Sequence, residues 1–117
     1  MSVTSASGFS VGVSEAGIRE SGGPDLVLIA SDRPASAAAT FTTNLMRAAP
    51  VLLAEEALTS GAATVRGIVI NAGCANAGTG AAGLKDARAV VAAAACRSSD
   101  ATPVRIGAVD GGLDQRR

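Results

Sequence analysis

The chain has 117 residues and a mass of 11.4 kDa, which allows a single domain. Ten basic and ten acidic residues give a formal net charge of zero, so no excess of charge favours nucleic acid or an anionic membrane as a partner. His, Trp and Tyr are absent, which excludes His-based acid–base catalysis, His-ligated metal and aromatic base-stacking surfaces within this chain.

The first part of the chain predicts strands. Residues 8–13 alternate in polarity, and Leu26–Ala30 is a continuous apolar run that fits a strand buried on both faces. Residues 15–25, rich in Gly, predict a connection with turns. Ser31–Arg33 predicts a solvated turn after the second strand, with the lining of a pocket as the alternative. Thr40–Thr43 favours a third extended segment because β-branched and aromatic residues fit strands.

The second part predicts helices that alternate with strands. Pro50–Leu58 has apolar residues at helical spacing after a proline suited to a first helical turn. Val65–Ile70 predicts a buried strand, Leu84–Cys96 a helix, and Val104–Ile106 a short strand. The predicted order is therefore β-β-β-α-β-α-β, which is an α/β fold. Since alanine supplies much of the apolar content, we expect a weak core that needs further protein to pack against.

A loop of small residues, Asn71–Gly83, carries the candidate site. Asn71, Asn76, Thr79 and Gly80 are candidates for lining a substrate pocket, although asparagines also cap tight turns. Within the loop, Gly78–Gly83 matches the G-x-G-x-x-G pattern of nucleotide sites, so a small nucleotide-binding domain is an alternative. Six residues between the strand and this pattern count against that alternative, because the fingerprint requires an immediate turn.

The sequence carries no targeting or membrane signal. Residues 1–7 lack the basic and apolar regions of a signal peptide, and no apolar run approaches the roughly 18 residues of a membrane span. Cys74 and Cys96 lack the spacing of a redox motif or a zinc site, which predicts reduced, semi-buried thiols and no bound metal. We therefore expect a cytoplasmic protein without a membrane partner.

Taken together, several segments resemble the glutamate N-acetyltransferase family (ornithine acetyltransferase, the ArgJ type of arginine biosynthesis). These segments occur in the same order and with the same spacing as in the family across roughly residues 8–106. The segments are Gly8-Phe9, Ala16-Gly17-Ile18, Asp25–Ile29, Ser31–Ala35, Ala37-Ala38, Phe41–Asn44, Ala48–Val51, Val69–Gly80 and Gly83–Ala87. Ala72, Cys74 and Gly78 depart from the usual Ser, Asn and Cys of the family loop.

The resemblance implies the N-terminal part of a layered sheet-and-helix fold of the ornithine acetyltransferase (DmpA/ArgJ) type. Family enzymes cleave themselves before a threonine, whose freed amine and hydroxyl carry an acetyl group from N-acetylornithine to glutamate without an organic cofactor. That nucleophile lies downstream of this sequence, so the resemblance implies no catalytic residue here, a partner in the missing C-terminal chain, and an inactive isolated chain. A non-catalytic partner module is the remaining alternative.

The end of the sequence differs from the family. The oxyanion-hole motif Ser-Thr-Gly-Val-Ile-Gly is expected after Ile106, but residues 107–113 read Gly-Ala-Val-Asp-Gly-Gly-Leu. One possible set of codons for Val109–Gly112 encodes Ser-Thr-Gly-Val when the reading frame is moved onward by one base. The hypothesis is therefore that residues 1–106 belong to the family domain and that residues 107–117 are a divergent tail produced by a frameshift.

Overall fold

The computed structural model describes residues 5–60, 64–96 and 106–111. Four strands form one sheet in the order β1-β2-β3-β4, accompanied by two helices. The elements are β1 (Phe9–Ser14), β2 (Leu26–Ser36), α1 (Ala49–Thr59), β3 (Thr64–Ala72), α2 (Gly80–Cys96) and β4 (Ile106–Gly111). The predicted α/β class is confirmed, and the sheet is mixed, because β1, β2 and β3 pair antiparallel whereas β3 and β4 pair parallel.

The predicted third strand over Thr40–Thr43 is wrong, and the observed order is β-β-α-β-α-β. Local side chains compete for backbone donors there, since the Asn44 N–H donates to Thr42 Oγ1 (3.2 Å) and the Met46 N–H donates to Asn44 Oδ1 (2.9 Å). Such short-range hydrogen bonds offer the backbone an alternative to a strand ladder.

The predicted turn at Ser31–Arg33 is also wrong, because β2 continues to Ser36. The strand accommodates Pro34 by a shift of register between Ala30 and Ala35, opposite β3. Proline has no N–H to donate, so within a sheet it is found at such irregularities. The sequence signal for a turn therefore marks a bulge in this fold.

The last predicted strand, Val104–Ile106, falls only in part on described residues. Val104 and Arg105 lie outside the described residues, and β4 runs from Ile106 to Gly111 beside β3. Asp110 and Gly111, which look turn-like in sequence, are thus strand residues. The point at which a shifted reading frame would begin stays a prediction.

The core between sheet and helices is small. Among the described residues, the buried apolar ones are Ala49, Pro50, Leu53 and Val69, and no large side chain is fully buried. An exposed ion pair between Arg88 Nη2 and Glu56 Oε2 (2.7 Å) joins α2 to α1. No helix in the described ranges is long and apolar enough to cross a membrane.

Candidate functional site

A cleft of about 730 Å³ lies between α2 and one face of the sheet. Leu26, Val69 and Asn71 form its floor, and the register places the three side chains on the same face, because Leu26 pairs with Asn71 and Val69 lies two residues before it. The remaining lining residues are Ala16, Ile18, Pro50, Cys74, Asn76, Thr79, Ala82, Gly83, Asp86, Ala87 and Val90. An apolar cleft with a few polar groups is the usual form of a small-molecule site.

Three of the four predicted pocket residues line this cleft. Asn71, Asn76 and Thr79 meet there, and Thr79 also borders a second cleft of about 390 Å³ together with Gly80. Asn76 Nδ2 donates to Asn71 Oδ1 (3.3 Å), so the two amides are in contact. The predicted side chains thus meet in one cleft, and Gly80 borders only the second cleft.

The Asn76 carbonyl oxygen anchors the loop between β3 and α2. It accepts a hydrogen bond from the Thr79 hydroxyl (3.1 Å) and another from the backbone N–H of Ala49 (3.4 Å). The second bond joins the loop to the start of α1. The loop is therefore fixed to both helices, which orients Asn76 and Thr79 at the mouth of the clefts.

The three glycines of the Gly78–Gly83 pattern have structural roles. Gly78 and Gly80 adopt positive φ angles of 71° and 59°, which place them in the turn that leads into α2. At Gly83 a Cβ would lie 1.8 Å from Thr79 Oγ1, so a side chain there would displace Thr79. β3 ends at Ala72, so the pattern does not follow the strand immediately as a phosphate-binding turn requires. The pattern is accounted for without a nucleotide.

Asp25 fixes another wall of the cleft. Its carboxylate accepts hydrogen bonds from the backbone N–H groups of Ala16 (2.6 Å), Ile18 (2.5 Å) and Arg19 (3.0 Å), and the residue is only 3% exposed. These backbone donors, that of Ala16 first, lower the pKa of Asp25 below its usual value, because they stabilise the charged form. Ala16 and Ile18 line the cleft, so Asp25 positions residues of the site without lining it.

Sequence reasoning did not single out Asp25 as a site residue. It precedes a buried strand and follows Pro24 in a glycine-rich connection, where an aspartate usually indicates a turn. The donors it holds are six to nine residues earlier in the chain. The one indication in the sequence was a carboxylate between a glycine-rich connection and an apolar strand. It did not identify the backbone groups that donate hydrogen bonds to Asp25.

The described lining of the cleft contains few charged or thiol groups. Asp86 is the one charged residue among the described lining residues. Cys74, predicted to be semi-buried, is an exposed free thiol at the start of the loop. The described residues contain no group of three or more Cys, Asp or Glu side chains arranged to hold a metal ion. The cleft can therefore offer amide, hydroxyl and carboxylate groups to a polar substrate.

Comparison of the sequence with known proteins identifies relatives of this chain. The sequence model of the ArgJ family matches residues 10–112. The "Arginine biosynthesis bifunctional protein ArgJ" of Streptomyces coelicolor is 49% identical over 96 residues, which cover 81% of this chain and 24% of that protein. The Geobacter sulfurreducens protein of the same name is 53% identical over 81 residues, covering 69% of this chain and 20% of that protein. A mitochondrial relative from Ajellomyces capsulatus is 51% identical over 84 residues, covering 69% and 18%.

Solved structures share the fold. The crystal structure of the ArgJ protein from Bacillus halodurans superposes with a TM-score of 0.86 at 32% identity, covering 99% of this chain and 59% of that chain. The ornithine acetyltransferase of Mycobacterium tuberculosis, solved in complex with ornithine, gives a TM-score of 0.79 at 37% identity, covering 98% and 61%. The chain thus spans about a fifth to a quarter of the length of the curated relatives described above.

Proposed function

The chain belongs to the ArgJ family, and on that premise we propose that it is the N-terminal part of a glutamate N-acetyltransferase of arginine biosynthesis. In the complete enzyme an acetyl group passes from N-acetylornithine to glutamate. The observation that carries the proposal is the match to the family across residues 10–112, together with the identity of about half of the aligned residues to the bacterial relatives.

The reaction uses a threonine nucleophile that is not in this chain. The threonine hydroxyl attacks the acetyl carbonyl of N-acetylornithine, the C–N bond breaks, and ornithine leaves as the amine with one proton added. The amine of glutamate then attacks the resulting acetyl ester, which forms N-acetylglutamate and returns the hydroxyl. No cofactor takes part, and we propose that this chain by itself performs neither step.

The contribution of this chain is one wall of the substrate site. The Asn71 and Asn76 amides and the Thr79 hydroxyl lie at the cleft mouth, where they suit the orientation of polar amino-acid groups. The Asp86 carboxylate on α2 suits an ammonium group of an ornithine-like substrate. Gly80, in the adjoining cleft, completes the proposed binding residues. A cytoplasmic location is part of the proposal, whereas the fungal relative is described as mitochondrial.

The test has two steps. The purified 117-residue chain is incubated with N-acetylornithine and glutamate, and N-acetylglutamate is measured; we expect no product above background. The nucleotide sequence beyond the codon for Ile106 is then determined, and a frame that encodes Ser-Thr-Gly-Val followed by a downstream threonine cleavage site is expressed in full. Acetyl transfer by that longer product is the expected result. Turnover by the short chain, or an inactive full-length product that folds, would contradict the proposal.

A further inference from the structure

Asp25 holds two segments of the chain at once. Its carboxylate accepts hydrogen bonds from the backbone N–H groups of Ile18 (2.5 Å) and Arg19 (3.0 Å), within the connection of residues 15–25. Its own carbonyl oxygen accepts a hydrogen bond from the N–H of Ala72, the last residue of β3. Because Asp25 is almost completely buried, little water competes for these bonds. The residue therefore ties the connection to the end of β3.

The connection meets the chain just beyond β3 in a contact between backbones. A Cβ on Gly73 would lie 2.8 Å from the Cα of Arg19 and 3.2 Å from its nitrogen, which is the atom that donates to Asp25. The three atoms nearest to that Cβ position all belong to Arg19. Backbone that is fixed by a hydrogen bond cannot rotate away as a long side chain can, so a shift of Arg19 is transmitted to Gly73.

Gly73 opens the loop of residues 73–79, in which Asn76 has two long hydrogen bonds. The side-chain nitrogen of Asn76 lies 3.3 Å from Asn71 Oδ1, and its carbonyl oxygen lies 3.4 Å from the backbone nitrogen of Ala49. Both distances exceed the usual range of about 2.7–3.2 Å for such bonds. A displacement of the loop by a few tenths of an ångström away from these partners would therefore break both bonds.

We propose that Asp25 is a positioning residue for Asn76. By fixing Arg19 against Gly73, the Asp25 carboxylate sets the point at which the loop leaves β3, and this keeps Asn76 within bonding distance of its partners. The orientation of Asn76 toward a substrate rests on the proposed function. The link from Asp25 to Asn76 does not, because every contact in it is made within the described part of this chain.

Glu15 provides a matched comparison within the same connection. Its Oε1 accepts a hydrogen bond from the N–H of Gly23 (2.9 Å) at an exposed position. A carboxylate thus fixes the connection in both cases, but of the two only the Asp25 carboxylate bonds the residue that meets Gly73. If each carboxylate served only the local fold of the connection, substitution of neither would affect the loop.

Amide hydrogen exchange in the 117-residue chain tests the link. The reporter is the N–H of Ala49, which donates to the loop, and the internal reference is the N–H of Val51, which is bonded within the first turn of α1. In Asp25→Asn we expect exchange of the Ala49 amide to accelerate roughly tenfold relative to Val51, because the Ala49 amide loses its one partner in the loop. In Glu15→Gln both amides should exchange as in the unmodified chain.

The variant Arg19→Gly changes the same contact without altering Asp25, so it is informative even if Asp25→Asn fails to fold. It removes the Cβ beside Gly73 and loosens the backbone there. Glu20→Gly makes the same change at the next residue, which is exposed. We expect the Ala49 amide to exchange faster in Arg19→Gly and not in Glu20→Gly.

Three results would overturn the proposal. Equal acceleration of the Ala49 and Val51 amides in Asp25→Asn would report a loss of the whole helix instead of a displaced loop. An unchanged Ala49 amide in the folded variants would show that the loop does not depend on the contact, and so would equal effects of Arg19→Gly and Glu20→Gly. Circular dichroism verifies that each variant keeps its secondary structure. These results are independent of the acetyl-transfer test, which measures product formation by the longer protein.

Discussion

Gly73 and Arg19 are in contact where two loops meet beside the cleft, so close that Gly73 has no room for a side chain. A Cβ built on Gly73 would lie 2.8 Å from the Cα of Arg19, and Gly73 has a φ angle of +96°. Next to this contact, the N–H of Ala72 donates to the carbonyl oxygen of Asp25 (2.9 Å). The connection held by Asp25 is thus packed directly on the start of the loop that carries Asn76 and Thr79.

The variant Gly73→Ala is expected to destabilise the chain strongly. The left-handed backbone costs an L-residue about 1–2 kcal/mol, and the contact with Arg19 adds about 1–3 kcal/mol because backbone atoms cannot move aside easily. Gly17→Ala is the matched control, since Gly17 has a φ of +74° but nothing within 4 Å of its Cβ position. Urea unfolding measures both variants, and equal losses of stability would contradict the predicted contact.

Asp25 is expected to make stability depend on pH in the acid range. Its backbone donors lower the pKa in the folded state below the value of 3.8 expected for the unfolded chain. The contribution is therefore fully present above the unfolded pKa and is lost as the pH falls through the lower, folded pKa. Thermal unfolding of Asp25→Asn between neutral pH and pH values below 3.8 should show a lower midpoint at neutral pH and a smaller decrease on acidification.

The control for this experiment is Glu20→Gln, which removes an exposed carboxylate from the same connection. We expect Glu20→Gln to follow the pH profile of the unmodified chain. Hydrogen exchange adds a sharper readout, because an asparagine at position 25 keeps one acceptor oxygen and replaces the other by a donor. Either the amide of Ala16 or the amides of Ile18 and Arg19 should lose protection. Unchanged protection of all three would contradict the assigned role of Asp25.

Gly83→Ala is expected to reverse the usual effect of alanine in a helix. At an open helical position the exchange stabilises by about 1 kcal/mol. Here the new Cβ would lie 1.8 Å from Thr79 Oγ1, so Thr79 must move and its bond to the Asn76 carbonyl is lost. We expect a net loss of about 1–2 kcal/mol in thermal unfolding. In a Thr79→Gly background, which lacks the side chain that the new Cβ would meet, Gly83→Ala should no longer destabilise. An equal loss in that background would show that another contact is responsible.

Asn76→Ala tests the proposed substrate wall in the complete enzyme. The substitution removes the amide that contacts Asn71 but keeps the backbone carbonyl that anchors the loop. We expect KM to rise roughly tenfold with a smaller change in kcat, because a lost polar contact is worth about 1.4 kcal/mol. Ser10→Ala, in the exposed strand β1, is the control with unchanged kinetics. An unchanged KM in Asn76→Ala would remove Asn76 from the proposed site.

Part of the site followed from the sequence. A loop of small residues between a strand and a helix indicated where polar groups would meet, and the structure places Asn71, Asn76 and Thr79 around one cleft. The role of Asp25 did not follow, because its donors are fixed only when the connection folds back on the strand. The bulge at Pro34 was mistaken for a turn, because proline is found both in turns and at bulges within a sheet. Only the pairing of β2 with β3 shows that this segment is a bulge.

The sequence alone determined the helices and strands that have strong apolar periodicity, because that spacing is a property of neighbouring residues. It also determined the family, because the motifs occur in a fixed order along the chain. Tertiary structure alone decided which side of the sheet is covered. β2 and β3 are apolar on both faces, so alternation could not distinguish the face that forms the cleft from the opposite face. That choice depends on where α1 and α2 pack, and packing joins residues that are distant along the chain.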